Sequence, residues 1–208
     1  MMDLLGALPG AVAQGLVWGV MAIGVYITYK ILDIADLTVD GTICTGAAVC
    51  TMMMLSGQSP WLSILGAMLA GALAGVATGL LHVFLGIPAI LAGILTQMTL
   101  WSVNLKILGK ANQAISARNT AVLLSQMNIP HALIVLAVVG VLTVAILYLF
   151  FGTELGCSIR ATGCNQSMSR AQGINTNFTK VTGLAISNAI VALSGALLCQ
   201  YQGYTDIN

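Results

Sequence analysis

The stretch Gly152–Lys180, GTELGCSIRATGCNQSMSRAQGINTNFTK, is a polar interval in an otherwise apolar sequence. It contains four charged residues and a run of Asn, Gln, Ser and Thr, whereas the segments on either side are almost free of charge. A polar segment of this length between two apolar segments predicts a loop or a docking element outside the apolar part of the protein.

The composition assigns the class of protein. The chain has 208 residues, of which 58% are hydrophobic and 6% charged, and its mean hydropathy is +0.97. Soluble domains carry about 25% charged residues, because a solvated surface needs them. The sequence therefore predicts an integral membrane protein. The net charge of +1 excludes a nucleic-acid binder that relies on neutralising phosphates.

Long segments without Asp, Glu, Lys or Arg define the spans, since about 20 apolar residues cross the hydrocarbon as a helix. The start, MMDLLGALPG, lacks the positive charge and cleavage site of a signal peptide, so we expect a retained first helix. The sequence predicts an all-α, polytopic helix bundle of about six spans that forms one transmembrane domain over residues 1–208. The predicted spans are residues 8–29, 41–57, 61–85, 88–108, 131–151 and 180–200, with a tight hairpin at Gly86–Pro88.

The second span is short and rich in glycine. Residues 41–57 give only about 25 Å of helix, and they include Gly41, Gly46 and Gly57. One interpretation is a broken helix that lines a pathway. The other is a short straight helix in a locally thin bilayer.

The third span carries a ridge of small residues, since Gly71, Gly75 and Gly79 recur every four positions. Such a ridge lets a neighbouring helix approach backbone to backbone. It predicts a helix-packing surface, either static or one that slides during function. Gly15 and Gly19 form a weaker version in the first span.

The polar interval has its own local order. Thr162–Asn165 predicts a turn, with Asn165 capping a helix of about two turns over Gln166–Gln172 that Gly173 ends. Two turns of helix are not stable alone in water, so this helix must dock against a partner that is not lipid. The alternative is a solvated loop with incidental helicity.

Polar side chains within the spans are candidates for a translocation pathway, because such groups face the bundle interior or a cavity. Gln97, Trp101 and Asn104 share one helical stripe at positions i, i+4 and i+7. The alternative role is hydrogen bonding between helices. Further candidates are Thr42, Thr45, Ser187 and Asn188.

Titratable residues and cysteines give little sign of catalysis. The one acidic cluster consists of Asp33, Asp36 and Asp40, at positions i, i+3 and i+7. This spacing is compatible with a metal or phosphotransfer site on one helix face. The favoured interpretation is a solvated loop whose acids cap a helix. The five cysteines show no metal-ligand spacing and predict packing between helices. An ion-coupled secondary transporter or channel needs an ionisable residue deep in a span, and the charge-free segments contain none.

The run GCSIRATGCNQSMSRAQGIN resembles the cytoplasmic coupling loop of ABC-importer permeases of the branched-chain amino-acid and simple-sugar (ribose-type) family. Three further segments resemble the same family: 15–25 (GLVWGVMAIGV), 36–41 (DLTVDG) and 86–93 (GIPAILAG). Together they cover nearly the whole chain. The most similar subset includes systems associated with aromatic amino acids.

This resemblance implies a multi-pass protein of the bacterial inner membrane with its N-terminus outside and residues 152–180 as a cytoplasmic coupling loop. Lys and Arg counts alone leave the orientation nearly tied, at four inside against three outside. The implied partners are an ABC ATP-binding subunit, an extracytoplasmic substrate-binding protein and a second permease subunit in a homodimer. ATP hydrolysis is then expected in the partner, with no catalytic residue, metal or cofactor here. The residues implied in coupling are Gly156, Arg160, Ala161, Gly163, Asn165, Met168, Arg170, Ala171, Gly173 and Ile174.

Two departures from the family pattern shape these expectations. Relatives place an acidic residue near Asn165–Gln166, and this sequence has none there, so no ion pair to the ATPase is expected at that point. Relatives also continue past GYTDIN into further spans, from which we expect a chain truncated at its C-terminus. The implied substrate is an amino acid or another small polar solute.

Overall fold

The computed structural model describes residues 2–115, 124 and 129–206. Among these residues it shows a helical bundle with one short β-ribbon. The elements are α1 (Met2–Tyr26), continued by a π-helical turn (Ile27–Ile31), α2 (Val39–Leu55), α3 (Pro60–Phe84), α4 (Ala89–Leu108), β1 (Asn112–Ala114), α5 (Ile129–Phe151), α6 (Glu154–Cys164), α7 (Gln166–Ala171), α8 (Thr176–Gln202) and β2 (Tyr204–Asp206).

The prediction of an all-α, polytopic membrane protein is confirmed. In the described part of the chain, five helices are long and apolar enough to cross a membrane, namely α1, α3, α4, α5 and α8. The second predicted span, α2, is a shorter apolar helix of 17 residues. The tight connection between α3 and α4 is also present, with Gly86 at φ +68°.

α8 lies at the centre of the bundle and is the most buried of the five long helices. α1 runs antiparallel to it, since Ser194 Oγ donates to the Val17 carbonyl at 2.8 Å and Ser187 Oγ donates to the Gly24 carbonyl at 2.7 Å. α2 runs parallel to α8, because Thr42 contacts Asn188 and Cys50 contacts Ala196. These contacts fix the directions of α1 and α2 relative to α8.

The glycine ridge of α3 packs directly on the α8 backbone. A Cβ atom at Gly75 would lie 2.8 Å from the Leu184 carbonyl carbon, and one at Gly79 would lie 3.0 Å from the Val181 Cα. Gly71 sits equally close to Asn188 and Ala192. The weaker pattern in α1 behaves differently, since nothing lies within 4 Å of a Cβ at Gly15 or Gly19.

α2 is one continuous helix, as the interpretation of a short helix predicted, and it is not broken internally. The irregular backbone lies before α2, in the segment that connects it to α1. Residues 33–37 have no regular secondary structure, and Asp33 has a positive φ of +54°. Asp33, Asp36 and Asp40 therefore do not share a helix face. The backbone of this segment leaves the helical conformation because it must carry the chain from the end of α1 into the interior beside α8.

The polar interval contains two helices where one was expected. The predicted turn at Thr162–Asn165 is wrong, because α6 continues through Cys164 and only Asn165 leaves the helical conformation, at φ −158° and ψ 104°. Thr162 is buried, and its hydroxyl group lies 2.9 Å from that of Thr179. This contact holds the end of α6 against α8 in helical conformation.

The β-ribbon was not predicted from the sequence. β1 and β2 pair antiparallel, with Asn112 opposite Asp206 and Ala114 opposite Tyr204. Gly203, at φ +75°, ends α8 and turns the chain into β2. The hydroxyl groups of Thr51 and Thr205 lie 2.6 Å apart, which places the ribbon beside the C-terminal end of α2. The ribbon is thus at the end of the bundle remote from α6 and α7.

Candidate functional site

A cavity of about 770 Å³ opens beside α2, α4 and α8 in the half of the bundle that carries the β-ribbon. It reaches from the first turn of α2 to β2. Its lining combines aromatic, amide, thiol and carboxylate groups with apolar side chains. The lining residues are Trp18, Asp40, Gly41, Ile43, Cys44, Ala47, Gln97, Met98, Trp101, Asn104, Gly195, Leu198, Cys199, Gln202, Tyr204, Thr205 and Asp206.

The polar stripe predicted in the fourth span lies along this cavity. Gln97, Trp101 and Asn104 are all lining residues. α4 approaches α2 closely at Gly41, where a Cβ atom would lie 3.2 Å from the Gln97 Cα. Because glycine leaves room for α4, the stripe faces the start of α2 at close range.

Asn104 has an incomplete set of hydrogen bonds. The residue is fully buried, and its Nδ2 donates to the Gly41 carbonyl at 3.4 Å. Its Oδ1 has no hydrogen-bond partner among the described residues. A buried acceptor without a donor costs about 1–3 kcal/mol, so a residue in this state indicates a missing partner.

Two carboxylates are among the described residues that line the cavity. Asp40, in the first turn of α2, is exposed, and Asp206 lies at the end of β2. Among the described residues that line the cavity there is no Lys, Arg or His. Neither acid was predicted as a lining residue, because Asp40 was grouped with the preceding loop and Asp206 reaches the cavity only through the β-ribbon.

The other four pathway candidates are buried in contacts between helices and do not line the cavity. Thr42 Oγ1 donates to Asn188 Oδ1 at 2.7 Å, and Thr45 Oγ1 donates to the Gly41 carbonyl at 2.8 Å. Ser187 bonds the α1 backbone, as described above. The structure thus separates Thr42, Thr45, Ser187 and Asn188 from the group at the cavity.

Asp36 is the polar residue that sequence analysis placed wrongly. It was expected in a solvated loop, but its Oδ2 accepts a hydrogen bond of 2.8 Å from Asn188 Nδ2. Its Oδ1 accepts from the Thr38 amide at 2.9 Å, just before α2 begins. Asn188 lies 12 residues into α8, about 18 Å from the start of that helix. The carboxylate therefore sits well inside the bundle.

The cysteines divide into two groups. Cys50 and Cys199 are buried between helices and Cys44 is half-buried, as expected for packing residues. Cys157 and Cys164 are exposed, so the packing role predicted for them is wrong. Both lie on α6, whose outer face points away from the bundle.

α6 is held to the bundle by two close glycine contacts. Gly163 packs against the backbone of Ile31 and Leu32, and Gly156 packs against that of Phe150 and Phe151. Arg160 is exposed, and its Nη2 donates to the Phe151 carbonyl at 3.1 Å. Ala161, the neighbouring candidate, is half-buried. The candidate residues of α6 thus fix this helix to the ends of α1 and α5.

α7 has a cap at its start and a stop at its end, as predicted. Asn165 Oδ1 accepts from the Met168 amide at 3.1 Å, and Gly173 ends the helix at φ +83°. Ile174, which follows, donates its amide to the Ser169 carbonyl at 3.0 Å. Arg170 Nε donates to Thr176 Oγ1 at 2.8 Å, which ties α7 to the first residue of α8.

The outer surface of α7 is uncovered by the rest of the described chain. Met168 is 60% exposed, and Gln166, Ser167, Ala171 and Gln172 are exposed as well. Ser169 alone in this helix is buried. Five of the six residues of α7 are therefore exposed.

Comparison with known proteins identifies related sequences. The chain is 40% identical over 195 residues to a tyrosine transport system permease protein of Clostridioides difficile, covering 94% of this chain and 65% of that protein. It is 34% identical to an uncharacterized protein of Rickettsia prowazekii, covering 95% of this chain and 69% of that protein. It is 28% identical to the autoinducer 2 import system permease protein LsrC of Escherichia coli, covering 81% of this chain and 49% of that protein.

The chain thus spans between about half and two thirds of the length of these relatives. No solved structure matches it significantly. The sequence profile described as "Branched-chain amino acid transport system / permease component" matches residues 8–208, which include the cavity, α6 and α7. The chain therefore belongs to the branched-chain amino acid transport system permease family.

Proposed function

We propose that this chain is part of the membrane-spanning permease subunit of an ABC importer in a bacterial inner membrane. It forms part of the route for an amino acid or another small polar solute. An ATP-binding subunit hydrolyses ATP, a binding protein outside the cell delivers the solute, and a second permease subunit completes the route. Family membership and the names of the two transport relatives support this proposal.

The observation that carries the proposal is the exposed surface of α7. Its start and end are fixed by Asn165 and Gly173, and Arg170 ties it to Thr176, yet its outer face contacts no other described part of the chain. A short helix that is rigidly mounted but uncovered is suited to transmit force from a partner. The partner that fits is the ATP-binding subunit on the cytoplasmic side.

The connections of α7 indicate how movement reaches the cavity. α7 is joined through α6 to α5, and through Arg170 and residues 172–175 to α8. α8 in turn contacts α1, α2 and α3 along most of its length. When ATP closes the partner dimer, displacement of α7 tilts α8 and α5 together, which opens or closes the cavity at the other end.

An ion-coupled secondary transporter is the second candidate function, and one observation favours it. Ion-coupled transporters need an ionisable residue deep in the bundle. The charge-free segments contain none, but the Asp36 carboxylate reaches the interior, where Asn188 donates to it. Membership of the permease family favours the ABC importer. Transport that needs ATP and persists without an ion gradient would identify an ABC importer, and not an ion-coupled transporter.

The test uses the complete permease, reconstituted in proteoliposomes with its own ATP-binding subunit and binding protein. Met168→Ala removes a side chain of α7 that is 60% exposed. We expect it to weaken binding of the ATP-binding subunit about tenfold, in line with loss of an interface anchor, and to lower solute-stimulated ATP hydrolysis in proportion.

Tyr148→Ala is the matched control, because Tyr148 is 81% exposed and belongs to α5 rather than α7. This variant should bind the ATP-binding subunit normally. Equal binding by both variants and the unmodified protein would contradict the docking role of α7. ATP-independent uptake that collapses with the proton or sodium gradient would favour the second candidate function instead.

A further inference from the structure

The β-ribbon forms part of the wall of the 770 Å³ cavity, because all three residues of β2, Tyr204–Asp206, line it. We infer that the ribbon is a gate of this cavity. The contact between Thr51 and Thr205 holds the gate closed on α2, and the gate moves away from α2 when a solute passes. This inference rests on the proposed function, since it assigns a moving part to the same cavity.

The ribbon is too small to keep its place by itself. β1 and β2 have three residues each, and their pairing is extended by one hydrogen bond of 2.8 Å from the Ile115 amide to the Gly203 carbonyl. A two-stranded ribbon in isolation is marginally stable at best. The position of this ribbon therefore depends on its contacts with the helices.

Thr205 fastens the ribbon to α2. It is the middle residue of β2 and is buried, whereas Tyr204 and Asp206 on either side of it are exposed. Its hydroxyl group lies 2.6 Å from that of Thr51, which is also buried. A hydrogen bond between two neutral groups changes an equilibrium about fivefold. Such a contact favours the closed position and can still be broken during each transport cycle.

Both connections between the ribbon and the long helices bend at glycine. Gly109 ends α4 at φ +68°, and Gly203 ends α8 at φ +75°. Nothing lies within 4 Å of a Cβ position at Gly109, and at Gly203 the nearest atom is the Ile115 carbonyl oxygen, at 3.8 Å. Glycine changes its backbone conformation at little cost. The ribbon can therefore turn about these two uncrowded bends while α4 and α8 keep their packing.

α8 connects the gate to the proposed docking surface. Its first residue, Thr176, accepts a hydrogen bond from Arg170 of α7, and Gly203 at its other end leads directly into β2. A displacement of α7 that tilts α8 thus reaches β2 through a single bend. Movement of β2 away from Thr51 removes Tyr204 and Thr205 from the cavity wall and widens the cavity at that side.

The first test measures access to the cavity with Cys44, which is half-buried and lines the wall. In the complete permease, Cys157→Ser and Cys164→Ser remove the two exposed thiols of the described chain. Any cysteine outside the described residues is replaced in the same way. A methanethiosulfonate reagent bearing trimethylammonium is added, and the rate of modification at Cys44 is read by mass spectrometry of its peptide.

Thr51→Val keeps the shape of the side chain and removes the hydroxyl group that holds Thr205. We expect it to raise the rate of modification at Cys44 about fivefold, because the open position becomes more populated. Thr45→Val is the matched control, since the Thr45 hydroxyl group bonds the Gly41 carbonyl within α2, and its rate should be that of the unmodified protein. Equal rates for Thr51→Val and the unmodified protein would overturn the gate.

The second test locks the contact in place. Thr51→Cys and Thr205→Cys are combined in the permease reconstituted with its ATP-binding subunit and binding protein. Diamide accepts two electrons and two protons from the two thiols as one S–S bond forms between them. Since the 2.6 Å contact already holds these positions together, the bond changes the structure little. We expect oxidation to reduce ATP-driven uptake at least tenfold and a reducing agent to restore it.

The single variants Thr51→Cys and Thr205→Cys, oxidised in the same way, are the controls for links to Cys50 or Cys199, and their uptake should persist. A ribbon that is only structural would tolerate a bond in its resting position. Uptake that continues through the 51–205 disulfide would therefore overturn the gate. Failure of the two cysteines to form a disulfide would contradict the contact on which the inference depends.

The labelling of Cys44 needs neither ATP nor partner subunits, so it separates the two proposals. Faster labelling of Thr51→Val in a permease that shows no ATP-driven uptake would contradict the proposed function and leave the movable ribbon standing. ATP-driven uptake that is insensitive to the lock, together with equal labelling rates, would contradict only the gate.

Discussion

At the scale of single residues, Asn188 joins three parts of the chain that are far apart in sequence. It lies in α8, accepts from Thr42 of α2 and donates to Asp36 in the segment before α2. Its Nδ2 also bonds the Leu184 carbonyl one turn earlier. Within a bilayer each such bond contributes about 0.6 kcal/mol on average, but the loss of Asn188 would leave a carboxylate without its donor. The residue therefore fixes the position of the start of α2.

Asn188→Leu should destabilise the protein by about 2 kcal/mol, because it leaves Asp36 Oδ2 without its donor and removes the bond between Thr42 and residue 188, so that the Thr42 hydroxyl keeps only the Thr38 carbonyl. The measurement is the free energy of unfolding in mixed detergent micelles. Ser187→Ala is the adjacent control, since it removes only one bond, to the Gly24 carbonyl, and should cost about 0.6 kcal/mol. Equal losses in the two variants would show that the Asp36 contact adds no stability.

At the scale of elements, the contact between α3 and α8 depends on glycine residues, which have no side chain to separate the two helices. Gly71, Gly75 and Gly79 let the two backbones touch, and Gly46 and Gly195 do the same where α2 meets α8. In the bilayer there is no hydrophobic driving force between helices, so close van der Waals packing of this kind contributes much of the association. A methyl group in such a contact must separate the helices.

Gly75→Ala should destabilise the bundle by about 1–3 kcal/mol, since the added Cβ would lie 2.8 Å from the Leu184 carbonyl carbon. Gly140→Ala is the control, because Gly140 lies in α5 with nothing within 4 Å of its Cβ position. This second change should be neutral or stabilise by about 0.5–1 kcal/mol through helix propensity. Thermal unfolding in detergent measures both, and a Gly75→Ala protein as stable as Gly140→Ala would refute the backbone contact.

At the scale of the whole molecule, the bundle has two chemically different ends. One end carries α6 and α7 with Arg160 and Arg170, and the other carries the β-ribbon, with the cavity in the same half of the bundle. Docking of α7 to an ATP-binding subunit requires the first end to be cytoplasmic. In the proposed importer, the half of the bundle with the cavity then lies towards the outside of the cell.

Two cysteine variants test this orientation in intact cells, with Cys44, Cys157 and Cys164 replaced by serine. Ser167→Cys on α7 should react with a membrane-impermeant maleimide only after the membrane is opened. Gln58→Cys, exposed between α2 and α3 at the opposite end, should react in intact cells. The reverse pattern would overturn the orientation and, with it, the docking role of α7.

The sequence predicted the features that depend on local chemistry. Charge-free segments of about 20 residues located the spans, since the hydrocarbon excludes charge over a fixed thickness. Asn165 and Gly173 located α7, because capping and left-handed termination involve residues within one turn of each other. The stripe of Gln97, Trp101 and Asn104 followed from helical periodicity.

Tertiary structure decided the features that depend on distant partners. It placed Asp36 against Asn188, 152 residues away, and brought Asp40 and Asp206 to one cavity with Asn104. It also extended α6 through Thr162, whose buried contact with Thr179 outweighs the turn signal of the local sequence. By itself the sequence determined where the chain crosses the membrane and where its polar helix begins and ends, because these depend on hydropathy and neighbouring residues. Only the packed bundle decided which polar side chains meet, because that depends on how α2, α4 and α8 fit around their glycines.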